Sequence, residues 1–375
     1  MNAPRLKIVI LGLSITSSWG NGHATTYRGL VRELSARDHD VLFLERDMPW
    51  YAANRDLPEP PFGRTELYFG IGDLKRRFTH EVRNADFVMV GSYVPDGVAA
   101  GEWVTRTAQG LTGFYDIDTP VTLEKLSRGD HEYVSPQLIP RYGCYLSFAG
   151  GPLLRQIEER YGSRTSPLYC SVDQTLYFPE PCETKWDLGY LGTYSDDRQP
   201  ALERMLIQPA RLWPAGRFAV AGPQYPDSIE WPPNVERIEH LPPARHRGFY
   251  NSQRFTLNTT RSAMARFGYA PSVRLFEAAA CGVPIISDYW NGLEQIFDIG
   301  SEILLSRSEE DTLWHIREIP ESERIAMGER ARQRVLAEHT AARRAEQLET
   351  HILNMSRQGR HVQQTDRRRE VSNVN

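Results

Sequence analysis

Apolar positions along the chain gather into short continuous runs instead of alternating with polar ones, and the runs come in two series. The first covers residues 6–13, 40–45, 87–92, 113–118 and 145–150; the second covers 187–194, 217–222, 235–238, 255–258 and 283–287. Runs of this length, rich in branched and aromatic side chains, predict strands covered on both faces, as in a parallel sheet. Helical spacing takes over between them. Tyr27, Leu30, Val31 and Leu34 mark one helix, and residues 153–161, 199–207 and 244–252 mark others. Strands and helices alternating in two series predict an α/β protein built from two doubly wound domains that face a cleft. Residues 171–184, with Pro179 and Pro181, read as the linker between them. Residues 49–64, rich in proline and charge, read as a surface loop. Residues 321–354 read as strongly helical, with Ile325, Val335, Leu336 and Leu348 as apolar marks. From residue 357 little remains that could be buried, so a disordered tail is expected, and the basic run 367–369 within it reads as solvated.

Composition narrows the class. With 375 residues the chain exceeds what one core usually supports. It is 40% hydrophobic and 25% charged, with a net charge of -4, which gives no reason to expect a nucleic-acid partner. Cys144, Cys170, Cys182 and Cys281 are scattered without metal-ligand spacing, so no metal site and no disulfide framework is expected. The apolar run at residues 8–13 is too short for a signal sequence or a membrane span, and a cytoplasmic location follows as the default.

Candidate chemistry concentrates in residues 271–288. Val273, Phe276 and Ala280 fall on one helical stripe, Gly282 suits a left-handed helix end, and residues 283–286 restart the chain as a strand. In such sheets a ligand sits beyond the carboxyl ends of the strands, where helix N-termini point, and that end holds Ser272 and Arg274. Arg274 could instead pair with Glu277 along the helix. In the first half, Asp116 and Asp118 stand two residues apart at a strand end and could act together; alternatively Asp118 caps the next helix and Asp116 is solvated. The loop at residues 14–23, with Gly20, Gly22 and His23, lacks the spacing of a dinucleotide fingerprint.

The stretch Arg-Leu-Phe-Glu-Ala-Ala-Ala-Cys-Gly-Val-Pro-Ile-Ile-Ser-Asp at 274–288, followed by Gly292-Leu293-Glu294, resembles the donor-site signature of nucleotide-sugar glycosyltransferases of the GT-B fold. It is most similar to the CgeB-like, or spore-maturation protein, group. That resemblance implies two Rossmann-like domains and a last helix that crosses back to the first. The expected division is residues 1–170 for the acceptor domain, 171–184 for the linker, 185–335 for the donor domain, 336–356 for the crossing helix and 357–375 for the tail. Val172-Asp173 resembles the interdomain crossing, and Asp118-Thr119-Pro120 resembles a segment near the acceptor. The resemblance also implies that Glu277 holds the donor ribose. A second family glutamate, eight residues earlier, is replaced by Tyr269, and the alternative alignment on Phe267-Gly268 puts Ala265 there.

A sugar nucleotide needs cations or backbone amides for its diphosphate. Gly192 and Arg198, Gly222, Arg261, Ser272 and Arg274 are therefore the donor-binding candidates, with Glu277 and Glu294 for the nucleoside or sugar. Arg198 could instead pair with Asp196 or Asp197, and Glu294 could serve only its helix start. His23 and Asp118 are the catalytic candidates as general bases, with Gly20, Gly22 and Asp116 on the acceptor-side loops. The expected activity is metal-independent, retaining transfer from a nucleoside-diphosphate sugar to an unidentified acceptor, with no further cofactor; the oligomeric state stays open. A nucleotide-sugar epimerase and a non-catalytic nucleotide-sugar-binding or surface-assembly protein are the alternatives.

Overall fold

The computed structural model describes residues 4–19 and 21–372, with side chains as far as residue 356. The first half runs β1 (Lys7–Gly12), α1 (Ala24–Ala36), β2 (Asp40–Arg46), α2 (Pro49–Ala52), β3 (Arg64–Tyr68), α3 (Ile71–Asn84), β4 (Phe87–Gly91), α4 (Gly97–Thr107), β5 (Leu111–Asp116), α5 (Thr119–Ser127), β6 (Cys144–Ser147), α6 (Pro152–Tyr161) and β7 (Thr165–Pro167). The second half runs β8 (Trp186–Leu191), α7 (Gln199–Leu202), a π-helical turn (Glu203–Ile207), α8 (Gln208–Leu212), β9 (Phe218–Ala221), β10 (Val235–Ile238), α9 (Pro243–Asn251) and β11 (Gln253–Asn258). It continues through α10 (Ser262–Phe267), α11 (Val273–Ala280), β12 (Ile285–Ser287), β13 (Ile303–Leu305), α12 (Glu309–Glu318), α13 (Glu321–Glu338) and α14 (Ala341–Ser372).

These strands form two parallel sheets, ordered β3-β2-β1-β4-β5-β6-β7 and β10-β9-β8-β11-β12-β13. The continuous apolar runs have a direct cause. Side chains alternate between sheet faces, so Ile8 and Ile10 join Phe43 and Met89 in one core, while Val9 and Leu11 join Leu42, Leu44, Val88 and Val90 in another. In each sheet the strand order reverses once, between β1 and β4 and between β8 and β11. Crevices for ligands open at such reversals, beyond the carboxyl ends of the strands.

The chain crosses between sheets twice. Val172 donates its N–H to His339 O (3.1 Å) and accepts from Ala341 N–H (2.9 Å), which ties the linker to the junction of α13 and α14. Beyond that junction α14 packs on α1. A Cβ on Gly29 would stand 2.9 Å from Ala341 Cβ, and Ala345, Leu348 and Ile352 are buried in the core shared with both sheets.

Several expectations need correction. The helical stretch expected over 321–354 breaks at His339 and Thr340, where Thr340 bridges to Val172 as in a sheet. Residues 357–372 continue α14 as helical backbone where a disordered tail was expected, in keeping with their five Arg and three Gln, good helix formers; residues 373–375 lie outside the described residues. The expected loop at 49–64 contains α2, which Pro49 starts at its first helical position. Among the described residues no helix is long and apolar enough to cross a membrane.

Candidate active site

The carboxyl ends of the two sheets face each other across a cavity of about 1010 Å³. On the first-domain side its wall follows β1 (Trp19, Gly22, His23), β2 (Trp50, Tyr51), β5 (Asp118, Thr119) and β6 (Phe148). On the other side it follows β8 (Thr193, Tyr194, Arg198), β9 (Pro223, Gln224), β10 (Glu239, His240), β11 (Thr260, Arg261) and the start of α11 (Ser272, Arg274).

Arg274 lies in the first turn of α11, whose start is capped by Ser272 Oγ accepting from Arg274 N–H. Its guanidinium donates to Tyr190 Oη (3.0 Å), Leu191 O (2.9 Å), Thr259 O (3.0 Å) and Ser272 Oγ (3.2 Å). All are neutral groups, and the alternative pair with Glu277 is not made. Arg198 donates from Nη2 to Thr193 O (2.6 Å), while its Nε is buried without a partner. Neither arginine forms an ion pair with a carboxylate among the described residues. Burial and then the neighbouring Arg274 draw Arg198 below its usual range. Burial alone would raise the Tyr190 phenol, but Arg274 and Arg198 beside it pull it down. This wall therefore carries unneutralised positive charge, which favours an anionic ligand.

Asp118 stands opposite. Its Oδ2 accepts from Tyr93 Oη–H (3.0 Å) and lies 3.7 Å from Arg261 Nη1, whereas Oδ1 is buried without a partner. Burial pushes the carboxyl up to about 6, against the pull of Arg261. It begins α5 but makes no side-chain cap. His23, 5.6 Å from Phe148 between ring centroids, is drawn down to about 4 by burial and then by Arg261, so it is neutral at pH 7 and weakly basic.

The remaining candidates lie off the wall. Asp116 is buried, not solvated: it accepts from Tyr145 Oη–H, Thr122 Oγ1–H (2.8 Å) and Asp118 N–H (3.2 Å), and burial raises it. The two aspartates do not share a face, because the chain turns after β5 and sends Asp116 into the core. Glu277, one turn deeper than Arg274, is buried and accepts from Tyr250 Oη–H (3.2 Å), with His246 Nδ1 4.0 Å away; burial pushes it up to about 7. Glu294 is exposed and accepts with both oxygens from Gly292 N–H (3.2 and 3.1 Å), serving its own helical turn. Gly192 and Gly222 sit just behind the wall. A Cβ on Gly222 would come 2.0 Å from Gly192 O, and one on Gly192 would come 2.5 Å from Arg274 Nη1. Gly20 lies outside the described residues.

Tyr269, at the position where the family resemblance led to a glutamate, is used structurally. Its carbonyl accepts from Gly150 N–H (2.9 Å), and Cβ atoms on Gly151 and Gly292 would meet its ring at 2.5 and 2.4 Å. The sequence reading missed Trp19, Trp50, Tyr51, Gln224, Glu239 and His240 on the wall. All of them stand in segments that follow strands, and the carboxyl-end rule could have drawn attention to those segments, the tryptophans' included.

Residues 198–350 match the family described as glycosyl transferase-like. No curated protein is matched. The whole chain is similar in structure to Anabaena Alr3699/HepE in complex with UDP and glucose, at 14% identity, a TM-score of 0.68 and coverage of 93% of this chain and 99% of that one. It is also similar to sucrose-phosphate synthase from Thermosynechococcus elongatus (14% identity, TM-score 0.65, 96% of this chain and 100% of that one). A third similar structure is an alpha-glucosyltransferase in complex with UDP-glucose and DNA containing an abasic site (12% identity, TM-score 0.68, 93% of this chain and 100% of that one). The family match is confined to residues 198–350, and the two parallel sheets of the chain form the GT-B fold.

Proposed function

We propose that the protein transfers a sugar from a nucleoside-diphosphate sugar to an acceptor hydroxyl, as a CgeB-like glycosyltransferase, without a metal ion and with retention at the anomeric carbon. The observation that carries this reading is the pair Arg198 and Arg274, two guanidiniums partnered only by neutral oxygens on the wall opposite Asp118. A diphosphate supplies the anion they lack, and the N-terminus of α11 points toward the same place. The bond between the anomeric carbon and the phosphate oxygen breaks, and the acceptor oxygen bonds to that carbon on the face the phosphate leaves, as retention requires. The nucleoside diphosphate leaves with its charge held by the arginines, the electrostatic part a metal ion plays elsewhere. The acceptor proton passes to Asp118, the carboxylate on the first-domain wall of the cavity. His23, neutral at pH 7, serves as a hydrogen-bonding partner for substrate hydroxyls. Gln224, Glu239 and His240, which line the same cavity, supply polar groups for the nucleoside. The four cysteines are unpaired, which suits the cytoplasm.

Similar structures hold UDP or UDP-glucose, so UDP-sugars are the first donors to test. Binding and nucleotide release are measured with UDP-, GDP- and dTDP-sugars for wild type, Arg198→Ala and Arg274→Ala. One donor is expected to bind, with affinity lowered about tenfold to a hundredfold in each variant, the scale of a lost charge-assisted hydrogen bond. No donor bound by wild type would sink the reading. The structural use of Tyr269 supports a second one, a binder without turnover; it prevails if the donor binds but nucleotide is never released with any acceptor.

A further inference from the structure

Two large apolar side chains are left half exposed inside the cavity, Trp19 at 48% and Trp50 at 49%. The other exposed large apolar side chains among the described residues, Phe69 and Trp314 for example, lie outside it. Indole surface open to water in a cleft marks a place that a ligand covers. The backbone that presents Trp19 is braced: Ser18 is tied to Asp56 by its N–H (2.8 Å) and Oγ (3.0 Å), and Arg28 grips both Asp56 oxygens at 2.9 Å.

Charge narrows the ligand. No lysine or arginine lines the first-domain wall among the described residues, so a phosphate, sulfate, uronate or nucleic-acid backbone would meet no counter-charge there. Indole surface on a wall that holds no cationic side chain suits a pyranose, whose C–H face is apolar and slightly positive against the negative π surface, and whose hydroxyls project at the rim. Size narrows it further. Trp50 follows β2 and Asp118 follows β5, and the order β2-β1-β4-β5 separates those strand ends by three spacings, about 14 Å. A wall that extends across those strand ends has room for more than one pyranose ring.

Resting on the donor reading above, we propose that the acceptor is a neutral oligosaccharide, stacked on Trp19 and Trp50 and presenting one hydroxyl to Asp118.

The test screens the full chain, with UDP present, against neutral di- to hexasaccharides, their monosaccharides, the same glycans carrying phosphate or uronic acid, and aryl alcohols. A neutral oligosaccharide is expected to bind more tightly than its monosaccharide. Its affinity should fall about tenfold in Trp19→Ala and in Trp50→Ala, fall less in the Phe variants, and persist in Trp314→Ala, which lies outside the cavity. Binding confined to the anionic glycans or aryl alcohols, binding of no glycan, or equal binding by the Trp variants would overturn the proposal. Nucleotide binding is measured in parallel. If UDP and the other nucleotides also fail to bind, the donor reading fails; if a nucleotide binds and no neutral glycan does, only the acceptor assignment fails.

Discussion

Asp118 couples its environment to a measurable rate. Burial holds its carboxyl up at about 6, above the ordinary 3.8, so a growing share is protonated as pH falls through that value and is lost to the role of base proposed for it. The expected kcat/KM profile therefore has an acidic limb near pH 6. Asp118→Asn should lose the limb together with about 10²–10⁴ of the rate. Glu277 also titrates high, at about 7, but lies off the wall, so Glu277→Gln should leave the limb in place. A limb that moves with Glu277 instead of Asp118 would reject Asp118 as the base. The sequence marked Asp118 as a carboxylate at a strand end. It could not show the protonation state, which depends on Tyr93 and on Arg261 arriving from the other domain. The depth of Glu277 was illegible for a related reason: helical spacing gives the face a side chain occupies, not how far that face lies below the cleft.

At the scale of elements, the ends of β8 and β9 meet the first turn of α11 so closely that glycine is required. A Cβ on Gly192 would stand 2.5 Å from Arg274 Nη1 and 2.6 Å from Tyr190 Oη, the pair that aims the guanidinium. Gly192→Ala is thus expected to push Arg274 aside and weaken donor binding about tenfold or more while the fold persists, as read by calorimetry with the donor and by circular dichroism. Unchanged donor affinity would mean that Arg274 does not hold the diphosphate. Long apolar runs such as β1 and β4 were legible because both of their faces are buried. The short edge strand β7, only Thr165–Pro167, carries no such run, and β13 has just three residues. The break between α13 and α14 was hidden because residues on either side are good helix formers; the long-range pairing of Thr340 with Val172 decides it.

At the scale of the molecule, the cleft works only if its two walls keep their distance. What holds them is a core that does not stop at the linker. Side chains of β1 and α1 and of β12 and α11 belong to one cluster, which Ala345, Leu348 and Ile352 of α14 join. Leu348 is fully buried, so Leu348→Ala should cost about 2–5 kcal/mol through lost burial and the cavity left behind. A shared core further predicts one calorimetric unfolding transition that shifts as a whole in this variant. On the proposed assignment, donor binding by the second domain should change little in the folded variant, whereas transfer to an acceptor held between both walls should fall further. Two separate transitions, only one of them moved by the substitution, would instead mean that the domains fold independently and that the linker and cleft contacts such as Tyr269 with Gly150 set the spacing.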